Sequence, residues 1–323
     1  MGHSRSPGGM LDEVDTTILS LINDKGPITL SEISRELGWS KSMIHRRLRK
    51  LADLGLITLR DVGGVTIATS GSSRSSSVAF IGILRASEYP YVIPLIRRLR
   101  DRFGHVEVKV YDDAYREAMD LAAGRIQLAF APAITLLLMN RVTRGAVYIV
   151  GGGSSGGAAV VQGRGPEGHA TTRMSSMELC AARLGLEPPR VYASSGSEIL
   201  RLVETGFVRY GVVWEPYVTM ARRRGLSVEG CELETCCLLG ASSSIEGLYD
   251  TVSRIARESI ADTGSVDLQA YANIVGLPYE LVSESVKGYT FLEEPDEGLL
   301  KRIVSLSRDV VLPLSTVKEA IRG

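Results

Sequence analysis

The residues best suited to chemistry on a partner lie between Ser40 and Ile57, in the run S-K-S-M-I-H-R-R-L-R-K-L-A-D-L-G-L-I. Lys41, Arg46, Arg47, Arg49 and Lys50 occur there with no acid until Asp53. Ile44, Leu48 and Leu51 fall at helical spacing and form one apolar stripe that faces a core. Ser42, Arg46 and Arg49 then point the opposite way, with His45 and Lys50 beside them. A guanidinium fork pairs with a guanine edge in two parallel hydrogen bonds, and a helix with a buried back and a small-polar and arginine front suits the major groove of a duplex. The competing reading of the same run is a solvated basic helix face, and the flanking elements separate the two.

Those flanking elements are well punctuated. Leu11 to Ile22 reads as a helix with Leu11, Val14, Ile18, Leu21 and Ile22 on its apolar face, and Asp12 and Glu13 favour its amino end. Asn23 to Pro27 is a break, because Gly26 permits a left-handed turn and Pro27 cannot continue a helix. Thr29-Leu30-Ser31-Glu32 is a capping box opening a second helix, with Leu30, Ile33 and Leu37 inward. Gly38 ends that helix, Ser40 caps the basic helix, and Gly55 closes it. Leu56 to Arg60 and Thr66 to Thr69 are extended runs around Gly63-Gly64, which reads as a hairpin.

Helix, helix-turn-helix and a two-stranded wing resemble prokaryotic winged helix-turn-helix regulators. The phrases I-T-L-S-E-I-S-R-E-L-G and S-K-S-M-I-H-R-R-L-R-K-L-A-D-L-G-L-I carry the resemblance, over about the first seventy residues. It implies a double-stranded DNA partner. Ser42, Met43, Arg46 and Arg49 would approach bases, with Lys41, Arg47, Lys50 and the wing residue Arg60 near phosphates and Ser40 and His45 completing the interface. Phosphate contacts set register and base contacts select sequence. The acids of the first two helices nearly cancel the basic helix, so weak binding per monomer argues for a homodimer on a two-fold site. A winged helix used for protein contact is the alternative.

Length and composition set the frame. A chain of 323 residues has room for two or three domains, and its 44% hydrophobic and 23% charged content is that of a globular protein. With 37 basic and 37 acidic residues it is no polycation, so a nucleic-acid contact must come from a local patch. Residues 1–10 read as a disordered tail without a secretory signal, 11–69 as the winged helix, 70–77 as a Gly/Ser linker, and 78–323 as a second domain. The longest apolar run, Leu128 to Met139, is short of a membrane span and contains Pro132, so the protein is read as cytoplasmic, with no membrane partner. Cys180, Cys231, Cys236 and Cys237 include no C-x-x-C pair and have no histidine at ligand spacing, so neither a metal nor a cofactor is expected. In a strand, Cys236 and Cys237 would face opposite sides as buried thiols. Cys231 is the candidate for a disulfide if the source is a hyperthermophile.

In the second domain, strands at Val78–Leu84, Val106–Val110, a third that the run Gly124 to Phe130 leads into and that ends at Ala131-Pro132, Ala146–Val150, Ala158–Gln162, Val191–Ala193 and Tyr210–Trp214 alternate with helices, which implies an α/β domain with a mainly parallel sheet. Glu232 to Leu239 reads as a return strand, and the rest as chiefly helical. The run Gly151 to Gly157 is neither a P-loop nor a G-x-G-x-x-G opening a helix; a hinge or backbone-packing segment is favoured over phosphate binding.

This order resembles type 2 periplasmic-binding-protein-like domains across Val78 to Ser307, with A-G-R-I-Q-L-A-F-A-P and F-V-R-Y-G-V-V-W-E-P-Y as the matching phrases. The resemblance implies two α/β lobes joined by crossing strands, with the ligand between them. In outline the chain also resembles LysR-type regulators, from which it departs in having serines where they have a dimerising helix. Carried over by position, the cleft would be lined by Arg85, Ser87, Glu88, Ala131, Pro132, Thr171, Thr172, Arg173, Ser175, Ser194, Ser195, Ser197 and Glu215. Ligands in open α/β sheets collect outside strand carboxyl ends, and Ser or Thr at a helix amino end attracts anions. Arg85 and Arg173 would clamp an anionic group, while Glu88 and Glu215 suit an amine. The expected effector is a small anionic or zwitterionic metabolite, and the expected function is transcription regulation with no catalytic residues. The alternative is a metabolic enzyme on the same fold with an autoregulatory winged helix; His105 and His169 read as surface histidines rather than catalytic ones.

Overall fold

The computed structural model of the chain describes residues 12–54, 56–70, 78–231, 235–307 and 312–322. The predicted tail, Leu11, Gly55, linker residues 71–77 and Glu232, Leu233 and Glu234 lie outside the described residues. The chain divides into two compact units, Met1–Ser75 and Ser76–Gly323.

In the first unit, α1 (Glu13–Lys25) opens on a capping box in which Asp12 accepts from the Asp15 amide and Asp15 accepts from the Asp12 amide. It runs three residues past the break expected at Asn23, because Lys25 suits a helix carboxyl end and the left-handed residue is Gly26 (φ 71°). A two-residue strand, β1 (Ile28–Thr29), precedes α2 (Leu30–Leu37), whose box is Thr29 with Glu32. Gly38 (φ 68°) turns the chain into α3 (Lys41–Asp53), capped by Ser40. β2 (Ile57–Val62) and β3 (Val65–Ser70) meet at Gly63 and Gly64, both left-handed at φ 58° and 81°, as a two-residue hairpin turn requires. β1 pairs with β3, making a three-stranded sheet in the order β1-β3-β2; this strand was not foreseen. Ile18, Ile22, Ile33, Ile44, Leu48 and Leu51 are fully buried, so the apolar stripe of α3 does face a core.

The second unit runs β4 (Val78–Leu84), α4 (Val92–Phe103), β5 (His105–Tyr111), α5 (Ala114–Ala122), β6 (Leu128–Pro132), α6 (Ala133–Thr143) and β7 (Val147–Gly156). Then come β8 (Ala158–Gln162), β9 (His169–Thr171), α7 (Ser176–Arg183), β10 (Arg190–Tyr192), α8 (Gly196–Glu204), β11 (Tyr210–Trp214), α9 (Tyr217–Arg223) and β12 (Ser227–Gly230). The chain returns through β13 (Cys237–Ser242) and ends with α10 (Tyr249–Ala261), α11 (Leu268–Val275), α12 (Tyr279–Ser285), β14 (Tyr289–Leu292), α13 (Glu297–Leu306) and α14 (Ser315–Ala320). Two sheets result, β14-β7-β13-β6-β4-β5 and β10-β9-β11-β8-β12, and each forms the centre of a lobe.

Neither sheet is mainly parallel, contrary to the expectation from alternation. β4 is parallel to β5 and β6, but β13 runs antiparallel to both β6 and β7, and β8 antiparallel to β11 and β12. The reason is topological: β8 and β13 carry the chain from one lobe to the other and back, so each enters its sheet from the cleft side. The glycine run forms the end of β7 and its exit. A Cβ at Gly152 would lie 1.9 Å from the Leu292 carbonyl oxygen, and one at Gly153 would lie 2.1 Å from that of Cys237. Gly156 and Gly157 have φ of 84° and 69° and make the crossing into β8. Cys180 on α7 is bonded to Cys231 after β12, with Cα atoms 5.9 Å apart.

Glu117 on α5 is fully buried, and neither carboxylate oxygen has a partner among the described residues. Burial pushes its pKa well above the usual carboxylate range. A group whose folded pKa is raised favours the fold below its unfolded value, near 4.5, and that contribution is lost as pH rises through the folded pKa. Glu117→Met removes two unpaired oxygens at similar volume and is expected to stabilise the unit by about 1–3 kcal/mol at neutral pH. The gain should shrink in denaturant unfolding as pH falls toward 4.5; a loss of stability at neutral pH would contradict the assignment.

Candidate nucleic-acid interface and interlobe cavity

Helix α3 sorts its cations by face. Lys41, Ser42, Arg46 and Arg49 are exposed, and Met43 and His45 are half-buried, Met43 against the core. Arg46 and Arg49 have no ion pair among the described residues. Ser40 is exposed and its hydroxyl accepts from the Met43 amide, so it serves as a cap. Arg47 and Lys50, predicted at phosphates, instead turn onto α1. Arg47 reaches Asp12 at 2.5 Å and Asp15 at 3.2 Å, and Lys50 reaches Asp15 at 2.5 Å. Asp15 is fully buried, so its charge needs both partners. The Asp15 amide first, and Arg47 after it, hold the Asp12 carboxyl below the usual range; Asp12 in turn raises Arg47. In the sequence Asp12 reads only as an acid at a helix amino end and Asp15 is not singled out; its role depends on how α1 packs on α3. Arg60 is half-buried on β2 and has an interaction partner of its own.

Asp15→Ala therefore removes half of a capping box and the shared partner of two cations. It is expected to cost the first unit about 1–2 kcal/mol. Lys50→Ala should add little in that background, since both changes break one network. Thermal unfolding of the single and double variants checks this, and full additivity would contradict the shared network.

The two lobes of the second unit meet around a small, partly open cavity of about 20 Å³. Glu88, Pro132, Thr172 and Ser175, four of the residues named from sequence for the cleft, line it. Asp112, Ser176, Met177, Trp214, Cys236 and Cys237 line it too and were missed. Glu88 is buried and accepts from the Ser154 hydroxyl. Burial raises its pKa above the usual carboxylate range. The Thr172 hydroxyl lies 2.7 Å from that of Ser175, which caps α7.

The remaining predicted residues do not reach the cavity. Arg85 binds Asp112 through Nε at 2.7 Å and donates to the Val275 carbonyl. Arg173 is exposed and sits over the Tyr192 ring, 4.8 Å from its centre. The arginine clamp is therefore not formed: each guanidinium has a nearer acid, carbonyl or ring. Ser87 is buried with its hydroxyl 2.6 Å from that of Ser285. Thr171 is buried on β9 with its hydroxyl unpartnered among the described residues, and Ala131 is buried in β6. Ser194 bonds Glu198, Ser195 caps α8, and Ser197 is exposed. Glu215 accepts from the Thr219 amide at 2.8 Å and lies 3.5 Å from Arg222; burial still pushes its pKa up. The lobes are joined here, since the Ser87 amide donates to the Glu215 carbonyl and the Trp214 indole to that of Arg85.

Two further expectations change. His105 is an exposed partner of Glu107, as read, but His169 is fully buried on β9 and lowered in pKa by burial. Cys236 and Cys237 do not face opposite sides. β13 begins at Cys237, so strand alternation does not extend to Cys236, and the two sulfurs lie 3.6 Å apart at the cavity.

Residues 11–58 match the family described as winged helix-turn-helix DNA-binding. A stretch of 47 residues of the chain is 43% identical to the HTH-type transcriptional regulator FL11 of Pyrococcus horikoshii, covering 15% of this chain and 31% of that protein. A stretch of 49 residues is 39% identical to the HTH-type transcriptional regulator Ptr1 of Methanocaldococcus jannaschii, covering 15% and 33%. The chain thus spans about a third of the length of the curated relatives it matches. Among solved structures, the periplasmic nitrate-binding protein NrtA of Synechocystis superposes with a TM-score of 0.60 at 14% identity, covering 78% of this chain and 87% of that one. The alkanesulfonate-binding protein SsuA of Xanthomonas axonopodis pv. citri gives 0.59 at 15%, covering 78% and 96%. At such identities the likeness is one of fold. No helix among the described residues is long and apolar enough to cross a membrane. The chain joins an amino-terminal winged helix-turn-helix domain to a two-lobed α/β domain of the periplasmic-binding-protein type.

Proposed function

We propose that the protein is a DNA-binding transcription regulator whose two-lobed domain takes a small polar effector between its lobes. The observation that carries this reading is the outer face of α3, where Ser42, Arg46 and Arg49 project from a helix whose back is fully buried. The family match over residues 11–58 and the relatives named as transcriptional regulators support it. Between Asp12 and Ser70 eight acids balance eight bases, so the attraction to phosphate is local and weak per chain. We therefore read the working form as a homodimer acting in the compartment that holds the DNA.

The cavity lining bears on the effector. Among the described residues no lysine or arginine lines the cavity, while Glu88 does, and Asp112 does so already paired with Arg85. A ligand with a hydrogen-bond-donating group facing Glu88 fits such a lining, a zwitterion included. Regulation follows if lobe closure on ligand changes how two chains present their winged helices, a coupling of about 1–3 kcal/mol being ordinary. The test is selection of duplex fragments by the full chain, followed by affinity measurements with and without small amines and amino acids. Fragments retained in a salt-sensitive, sequence-dependent way support the reading. Retention no better than for random duplex sinks it.

A further inference from the structure

The cavity brings together three side chains, of which the regulator reading uses only Glu88. Glu88 follows β4, whereas Cys236 and Cys237 stand at the start of the returning strand β13. One ligand atom from each lies within 4.8 Å of the others, and all three residues are buried and line the cavity. We propose that Glu88, Cys236 and Cys237 form a three-ligand site for a thiophilic cation of the Zn²⁺ class, with a fourth position open to the cavity.

The sulfur spacing is a thiol–thiol contact that also suits a shared metal, and it is too long for a disulfide. The two sulfurs are 3.6 Å apart. Two thiolates on one tetrahedral zinc, at about 2.3 Å each, stand roughly 3.8 Å apart, whereas a disulfide needs about 2.05 Å. Two sulfurs with one carboxylate select a soft or borderline cation over magnesium or calcium, which prefer all-oxygen sets. Outer partners are in place as well. Ser154 donates to Glu88, the Tyr89 hydroxyl donates to the Cys237 sulfur at 3.2 Å, and the Cys236 amide donates to the Ser154 carbonyl at 3.0 Å. Such contacts hold ligands in orientation. Binding exchanges protons for the cation: the two thiols and the Glu88 carboxyl release theirs to solvent as the metal bonds form. The two thiolates, the carboxylate and a dication leave one net negative charge, which favours a neutral fourth ligand such as water or an amine.

This inference names a ligand for the same cavity that the regulator reading uses, and its test does not involve DNA. The full-length chain, kept under a thiol reductant, is titrated with Co²⁺ and followed by absorbance. A near-ultraviolet sulfur-to-cobalt band saturating at one equivalent per chain, and bleached by Zn²⁺, is expected. The band should survive Cys180→Ser with Cys231→Ser, vanish in Cys236→Ser with Cys237→Ser, and require about tenfold or more Co²⁺ in Ser154→Ala. Circular dichroism of each variant verifies that it is folded. No sulfur band in the wild type, or a band that persists without Cys236 and Cys237, overturns the proposal while leaving duplex binding untouched. Loss of duplex binding with the cobalt band intact would instead overturn only the regulator reading.

Discussion

Replacing Arg46 and Arg49 together by alanine is expected to lower affinity for a selected duplex by roughly a hundredfold or more, at about 1–3 kcal/mol for each lost bidentate contact. Both arginines are exposed on the face of α3 that carries Ser42, one and two turns further along. Discrimination between the selected duplex and a scrambled one should collapse with the affinity, because base contacts carry the selectivity. Lys41→Ala should behave differently. It should weaken all duplexes alike and reduce the salt slope by about one counterion. Arg47→Ala is the internal control, since that guanidinium is held by Asp12 and Asp15 and its loss should appear in the melting of the first unit. Fluorescence anisotropy at several salt concentrations reads all three. An unchanged affinity in the Arg46/Arg49 double variant would remove the interface from α3.

The second large effect is expected at Gly153. Its missing side chain lets the Cys237 carbonyl approach to where a Cβ would be 2.1 Å away, and Gly152 does the same for Leu292. The obstructing atoms are backbone, so no rotamer change relieves them. Gly153→Ala must spread β7 from β13, the strand that returns the chain between lobes and brings in Cys237. Overpacking a tight interior ordinarily costs about 1–3 kcal/mol, and a clash with a central strand places this change at or beyond the top of that range. Calorimetry should show the second unit melting far lower or failing to fold, with the first unit's transition unmoved. A variant that melts like the wild type would mean that β7 and β13 do not pair this closely.

Local elements were largely legible because their signals are short-range. The capping box at Thr29–Glu32, the glycine stop at Gly38 and the Gly63-Gly64 turn each involve residues within four positions of one another. Strands β4, β8 and β11 coincide with their predicted runs because each is a contiguous apolar segment. Two-residue β1 and three-residue β9 were not legible, since strands that short owe their existence to a partner far along the chain.

The candidate sites divide along the same line. The outward face of α3 follows from helical periodicity alone, so Ser42, Arg46 and Arg49 stand where the spacing put them. That Arg47 and Lys50 would be drawn onto Asp15, 32 and 35 residues earlier, depends on how α1 packs on α3. In the second unit, Arg85 and Arg173 carry the right charge for a cleft but are held by Asp112 and Tyr192. The acid and the two thiols that do meet there lie about 150 residues apart in sequence. Sequence by itself determined the helices, the wing and the two-domain order, because backbone propensity and capping act over a few residues. Only the tertiary structure decided which charges are already neutralised and which side chains share a cavity, because Coulomb forces and burial depend on distance through space.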